Sequence, residues 1–580
     1  MRNRSFVRTG FFYAWIVIAG LAFAAGCAPG KERADTILMN GKIITVDKDF
    51  SIAEAVAIRN GRFIAVGKND EILAFAGDST NTIDLKGRTV VPGLIEGHAH
   101  PLSASQSEYP DPIPHITNIK ELMDWIAQQA RTRKKGEWIV HPKFFITRLS
   151  DMRQLSKKEL DSVAPDHPVF LNGSYAGMAN SKAIAVSGLD KADHPGIDRS
   201  KPGGAPTGIV RRSAFGLLAI PKPAPLSDQE KTKMMMQMFG LYNSVGITSV
   251  CVGGGDGQQL EMYKKMNADG QLTVRVFQNI YFPKVPVQEM LDSLKLKEYK
   301  TGDGDDWVRV GALKVVVDGG VLTGTAYLNE GWGEKAQRLY GLPDPLYRGE
   351  LFFSQKELET LISAAQQAGW KFTAHVTGGG GVDTLLAAFA ATDRLAPVKQ
   401  NRFSIIHGNF FSEEAVRKMA AMGIYADMQP DWFYKDGSAL LQVLGKERLN
   451  AFHPYRSLWD AGVVVGGGSD HMAKLDPDLS INPYNPFLSI WSVVARKTEN
   501  GISLYPEQAL SRKEALQMYT INNAYASFEE NGKGSIEPGK LADLAVLSDD
   551  LLLCPEDDIR KIKVLLTMVD GRVVYENNQL

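Results

Sequence analysis

From Pro92 to about Glu530 the chain alternates short apolar runs with amphipathic stretches, and few folds satisfy that pattern. Repeated strand-then-helix units bury a parallel sheet against layers of helices. Candidate strands are Pro168-Val-Phe-Leu171, Ile247-Thr-Ser-Val-Cys-Val252, Val308 to Val317, Lys371-Phe-Thr-Ala-His375, Phe403-Ser-Ile-Ile-His407, Ile424-Tyr-Ala-Asp-Met428 and Val463-Val-Val-Gly466. With the strand leading into His98 and a weak one near Val274 to Asn279, there are nine candidates for the eight strands of a closed barrel. Helices are expected over Gln355 to Ala368, Val382 to Thr392 and Glu413 to Met422. Residues 102 to 166 and 252 to 306 include connections long enough for insertions or lids. The expected fold is an α/β, (β/α)8 TIM barrel.

Both ends of the chain follow a different period. Between Ala34 and Val91 lie short strands punctuated by Asn40-Gly41, Asn60-Gly61 and Lys86-Gly87, and Asp570-Gly571 divides two more near the C-terminus. Asn-Gly and Asp-Gly between apolar runs mark tight hairpin turns. Neither set suffices for a stable sheet domain, so the two are expected to form one β-sandwich with the barrel inserted between them. The expected organisation is 1–27 as a lipoprotein signal peptide, 28–91 and 531–580 as the two parts of the sandwich, and 92–530 as the barrel.

The first residues carry an export signal. Arg2, Arg4 and Arg8 precede an apolar run from Phe11 to Ala25 that ends in Ala24-Ala25-Gly26-Cys27. The run is short for a membrane span, which needs about 20 apolar residues. Small residues before a cysteine suit cleavage and lipidation at Cys27. An exported, membrane-anchored lipoprotein is therefore expected, touching the membrane through its N-terminal lipid alone. The 65 basic and 66 acidic residues are interspersed, which leaves no cationic stripe for nucleic acid.

Only Cys251 and Cys554 follow Cys27, far apart and without a CxxC, so any metal must rest on histidine and carboxylate. Of ten histidines, His98, His100, His375 and His407 stand at the C-terminal ends of apolar strands. In a (β/α)8 barrel those ends converge on one mouth. His98 and His100 are spaced i, i+2, which on a strand turns both imidazoles to one face. Asp470 ends Gly466-Gly-Gly-Ser-Asp470 after another apolar strand and adds a hard anionic ligand or a base. The set points to a divalent metal, zinc foremost, as one ion or two.

Val90-Val-Pro-Gly-Leu-Ile-Glu-Gly-His-Ala-His100 resembles the first-strand motif of the amidohydrolase superfamily, and Gly534-Ser-Ile-Glu-Pro-Gly-Lys-Leu-Ala-Asp-Leu-Ala-Val-Leu547 resembles its return into the sandwich. Asn180-Ser-Lys-Ala-Ile184, Pro206-Thr-Gly208, Leu313-Lys-Val-Val-Val-Asp-Gly319 and Gln429-Pro430 are similar to the YtcJ-like branch. The resemblance implies that His98 and His100 bind one ion, that His375 and His407 bind a second, and that a carbamylated Lys314 bridges them. It implies hydrolysis of a carbon–nitrogen bond, amide or N-acyl, in a small molecule. Asp470 would serve as metal ligand and as general acid and base.

Three features depart from the branch pattern. An acidic residue four positions after His375 is missing from His375-Val-Thr-Gly-Gly-Gly-Gly-Val-Asp383, Tyr175 stands near where a histidine is common, and Gly319 to Ala326 lacks an arginine. Tyr175, Asp318 and Gln429 are the substrate-pocket candidates. Two alternatives compete: the same scaffold as esterase, decarboxylase or isomerase, and a non-catalytic exported binding lipoprotein. Cys27→Ser should leave the protein without an N-terminal acyl group, as an unprocessed precursor or in the soluble fraction. Mass spectrometry of the wild-type N-terminal peptide checks this, and an unacylated cysteine there refutes it.

Overall fold

In the computed structural model, residues 32–222 and 224–577 are described; Cys27 and the expected signal peptide lie outside them. Eight parallel strands form one sheet in chain order: β1 (Leu94–Ala99), β2 (Ile247–Gly255), β3 (Arg275–Tyr281), β4 (Val308–Val316), β5 (Phe372–Val376), β6 (Ser404–His407), β7 (Tyr425–Met428) and β8 (Val465–Gly467). Helices such as Gln355–Gln367, Gly379–Asp393 and Glu413–Met422 run between the strands and bury Leu361, Leu385 and Met419 against their outer faces. No helix among the described residues is long and apolar enough to cross a membrane.

The barrel closes through backbone and side chain together. Asp470 N–H donates to His98 O and His100 N–H to His471 O, both at 2.7 Å. Below them Asn523 Nδ2 donates to Ile95 O at 2.6 Å and Gly467 O at 2.8 Å, tying β1 to β8. Glu96 Oε1 accepts the N–H groups of His98 (3.0 Å) and Ser469 (2.8 Å). Gly97 permits this contact, because a Cβ there would lie 2.6 Å from Gly467 O.

The termini behave as the turn dipeptides suggest. One sheet joins Thr36–Met39, Ala55–Arg59, Arg62–Gly67 and Asn81–Asp84; the other joins three N-terminal strands to Leu544–Leu547, Val564–Val569 and Arg572–Glu576. Leu544–Leu547 runs antiparallel to Thr89–Pro92, so the two ends of the chain meet inside one sheet. Both residues of Asn60-Gly61 and of Asp570-Gly571 have positive φ, as two-residue hairpins of this handedness require. Leu38, Val56 and Phe63 of the first sheet share a core with Val90, Val546 and Leu566 of the second.

The expectation that Pro168 to Leu171 is a barrel strand is corrected. Val169–Asn172 belongs to a separate five-stranded sheet with Ile139–His141, Ala176–Ala179, Ile197–Arg199 and Pro206–Arg211, inserted between β1 and β2. Helices cover both faces: Leu122 and Leu160 pack on one side, Ala183 and Ile184 on the other. A strand buried on both faces loses its alternation and reads like a barrel strand. The weak candidate near Val274 is a full member, β3, whose signal is diluted by the inward or paired polar residues Arg275, Gln278 and Asn279. Residues 252–306 form ordinary barrel units, whereas 102–166 lead into the insertion.

Arg275 fastens the barrel to the sandwich. Its guanidinium donates to Asp543 at 2.8 and 3.0 Å, to Asp570 at 3.3 Å and to Asp306 O at 3.0 Å, over the Trp307 ring. Removing one partner of a buried ion pair costs about 3–5 kcal/mol, because the other charge stays desolvated. Arg275→Met should lower the stability by that amount in denaturant titration, and the double variant Arg275→Met, Asp543→Leu should recover much of it. A loss below about 1 kcal/mol would show the pair to be peripheral.

Candidate metal centre

At the C-terminal ends of the barrel strands, the structure brings His98, His100 and Asp470 together. Their ligating atoms lie within 4.8 Å of one another. Asp470 Oδ1 is 3.6 Å from His98 Nε2 and 3.3 Å from His100 Nε2. His98 Nε2 is buried without a hydrogen-bond partner, while Nδ1 lies 3.1 Å from Asp427 Oδ2. With Nδ1–H donating to that carboxylate, the Nε2 lone pair is aimed at the cluster, which is how metal-ligating histidines are oriented. An orphaned buried imidazole nitrogen facing a carboxylate and a second imidazole fits a divalent cation.

His375 at the end of β5 and His407 at the end of β6 form the second pair, with ring centroids 4.6 Å apart. His407 Nδ1 donates to Gln429 Oε1 at 2.6 Å, and Trp432 stacks on its ring at 4.6 Å. His375 Nε2 lies 3.0 Å from both Tyr175 Oη and Gly319 O. His98 joins the two pairs, its ring 5.4 Å from His100 and 5.3 Å from His407. Lys314 rises from β4 and lines the same cavity, which measures about 300 Å³. Of the six sequence-derived candidates, His100, Lys314, His375, His407 and Asp470 line this one volume, and His98 is buried behind it, against His100 and Asp470.

Burial and neighbouring charge set the protonation states. His98, His375 and His407 are held well below the usual histidine range, first by burial and then by Lys314 or one another, so they stay neutral and able to ligate. Burial pushes the Lys314 ammonium down to about 8, against the pull of Asp470 and Asp427. Burial also opposes the charge on Asp470, but the hydrogen bond from His100 and the neighbouring Lys314 ammonium help to outweigh it and lower its pKa.

Of the three pocket candidates, only Tyr175 lines the cavity. Asp318 lies beneath it, where its carboxylate accepts N–H groups from Thr377 and Gly378 at 2.8 Å and Tyr327 at 2.9 Å. It fixes the loop after β5 and has no oxygen left for a substrate. Gln429 is buried behind His407, its Nε2 donating to Asp427 Oδ1 at 2.9 Å. Asp383, the displaced acid, sits on the flank of the next helix bonded to Asn329. Asn180 caps the helix Ser181–Val186 and accepts from Val169 N–H, a structural task.

Sequence reasoning missed Asp427, Trp432 and the close approach at Gly253. Asp427 alone left a signal, as a carboxylate interrupting the apolar run Ile424 to Met428. A Cβ at Gly253 would press into His98 Nε2 and lie 2.9 Å from His100 Cε1. Gly253→Ala should therefore displace the imidazoles and cut metal content, measured by plasma emission spectroscopy, while circular dichroism stays unchanged. Full metal content in that variant would separate Gly253 from the centre.

Comparison with known proteins bears on this geometry. The model of the amidohydrolase family matches residues 81–575. The chain is 29% identical to the N-substituted formamide deformylase of Arthrobacter pascens over 94% of this chain and 99% of the relative. It is 24% identical to the putative amidohydrolase YtcJ of Bacillus subtilis (strain 168), over 93% and 99%. An uncharacterized metal-dependent hydrolase of Pyrococcus horikoshii OT3 superposes with a TM-score of 0.66 at 22% identity, covering 90% of this chain and 99% of that one.

Proposed function

This chain belongs to the amidohydrolase family, and on that premise we propose that it hydrolyses a carbon–nitrogen bond, amide or N-acyl and not peptide, in a small molecule. The observation that carries the reading is the unpartnered His98 Nε2, buried within reach of His100 and Asp470, which line the cavity. His98, His100 and Asp470 would hold one divalent ion, zinc foremost, and His375 and His407 a second. Such ions lower the pKa of water from about 15.7 towards about 7 and polarise a carbonyl.

The chain's own groups do the rest. Lys314, which shares the cavity wall with His100, His375 and His407, is our candidate for carbamylation: its neutral amine adds to CO2, an N–C bond forms, one N–H proton leaves to solvent, and the product is an anionic carbamate that would serve as a further metal ligand. The Asp470 carboxylate accepts a proton from water and returns it to the leaving nitrogen, acting as base and then as acid. Tyr175 Oη, 3.0 Å from His375 Nε2, would donate its proton in a hydrogen bond to the oxygen of the scissile carbonyl. Trp432 and Gln429 hold His407 in one orientation. The deformylase relative is in keeping with this reaction class. We also read the chain as exported and lipid-anchored, on the strength of the Ala24 to Cys27 motif.

Turnover of an N-acyl amine panel, measured with metal-loaded and metal-stripped protein, tests the reading; absence of stoichiometric metal would overturn it. Asp470→Asn keeps the shape and one oxygen donor but cannot take a proton at neutral pH. Its rate per bound ion should fall by about 10²- to 10⁴-fold, the range for a lost proton-transfer catalyst. Wild-type turnover per ion would make Asp470 a ligand only and move the base elsewhere.

A further inference from the structure

The inserted sheet delivers two cations into the metal-bearing cavity. Lys143 follows the strand Ile139–His141 and Arg212 follows Pro206–Arg211, while Ser174 and Tyr175 form the turn between two further strands. All four line the cavity. Lys143 Nζ donates to Ser174 Oγ at 2.8 Å, and the Arg212 guanidinium lies over the Tyr175 ring, 4.9 Å from its centroid. Neither forms an ion pair among the described residues.

The neighbourhood makes that unusual. In the adjoining cavity Arg148 grips Asp436 with two bonds of 2.8 Å, and Lys435 pairs with Glu499. Among the described residues the sole carboxylate lining the candidate metal cavity is Asp470, which faces His100 Nε2 at 3.3 Å. Lys143 and Arg212 repel each other and would repel a cation held by His98, His100 and Asp470, and an arriving anion relieves that repulsion. Phe145, Val321, Leu322 and Met472 add apolar stretches to the wall.

Resting on the hydrolase reading above, we propose that the substrate is an N-acyl amino acid, whose free carboxylate is bound by Lys143 and Arg212 while its acyl C–N bond lies over His98, His100 and Asp470. Arg212, exposed at the mouth, meets the carboxylate first and Lys143, half-buried, holds it deeper. Arginine presents a planar fork to the carboxylate and lysine a point charge, so the two fix its position and not only its presence.

The test uses matched pairs that differ by the carboxylate alone: the N-formyl, N-acetyl and N-benzoyl derivatives of L-phenylalanine and of 2-phenylethylamine. With the metal-loaded full-length protein, kcat/KM should favour the phenylalanine member of a pair by about 10²-fold, two charge-assisted hydrogen bonds at about tenfold each. Lys143→Met and Arg212→Met should each cut that preference about tenfold, chiefly through KM, and Arg212→Lys should restore part of it. Equal or better turnover of the neutral amides overturns the carboxylate subsite and leaves the hydrolase reading standing. A preference that survives both substitutions also overturns it, because the carboxylate is then bound elsewhere. If no pair is hydrolysed, the hydrolase reading fails, and the same compounds serve as unreacting ligands in calorimetry. Tighter binding of the phenylalanine derivatives that is lost in both variants then supports the subsite; equal binding refutes it.

Discussion

Closure of β1 against the segment after β8 is the constraint on which the remaining structure depends. The bond from Asp470 N–H to His98 O completes the barrel wall and, in the same act, sets a carboxylate beside two imidazoles. Glu96 and Asn523 reinforce the seam from within. Burial pushes the Glu96 carboxyl up to about 8, so at neutral pH it is largely uncharged, which lowers the cost of keeping it in the wall. The closed wall also sustains unfavourable backbone: His407 and Asp470 have φ of 72° and 55°. Such conformations cost about 1–3 kcal/mol each and persist where their surroundings over-determine them.

A second layer lies beneath the ligands and links them. His98 bonds to Asp427, Asp427 to Gln429 and Gln429 to His407, so the orientation of an imidazole on β1 is coupled to that of one on β6. Each link fixes which ring nitrogen carries the proton. Asp427 and Gln429 come from β7 and the residue after it, an element that contributes no donor to the cavity itself. That division leaves His98 Nε2 unpartnered while the other ring nitrogen, Asp427 and Gln429 satisfy one another.

The donor set was legible in the sequence because a polar residue that ends an apolar strand contradicts its surroundings, and His98, His100, His375, His407 and Asp470 all do so. The sandwich was legible through Asn60-Gly61 and Asp570-Gly571, whose backbone conformations few other pairs adopt. Other features left a weaker trace or none. Val169 to Leu171 looks like a barrel strand because helices bury both its faces, and β3 hides because Arg275 and Gln278 break its apolar run. Lys143 and Arg212 are ordinary surface types in sequence; only the insertion's placement over the mouth makes them neighbours of His100 and Lys314.

Pairing of Thr89–Pro92 with Leu544–Leu547 has a consequence for how the molecule is born. Strands from the first hundred residues cannot complete their sheet until almost the last residues have left the ribosome. Asn523 and Asp470, which seal the barrel, also come late. The N-terminal strands must therefore wait with an unpaired edge through most of synthesis, a state exposed to misassociation. Contacts of such long sequence separation form slowly. The sandwich of such a molecule stays unfinished until its last strands are released, and removing Leu544–Leu547 would leave the edge of Thr89–Pro92 open.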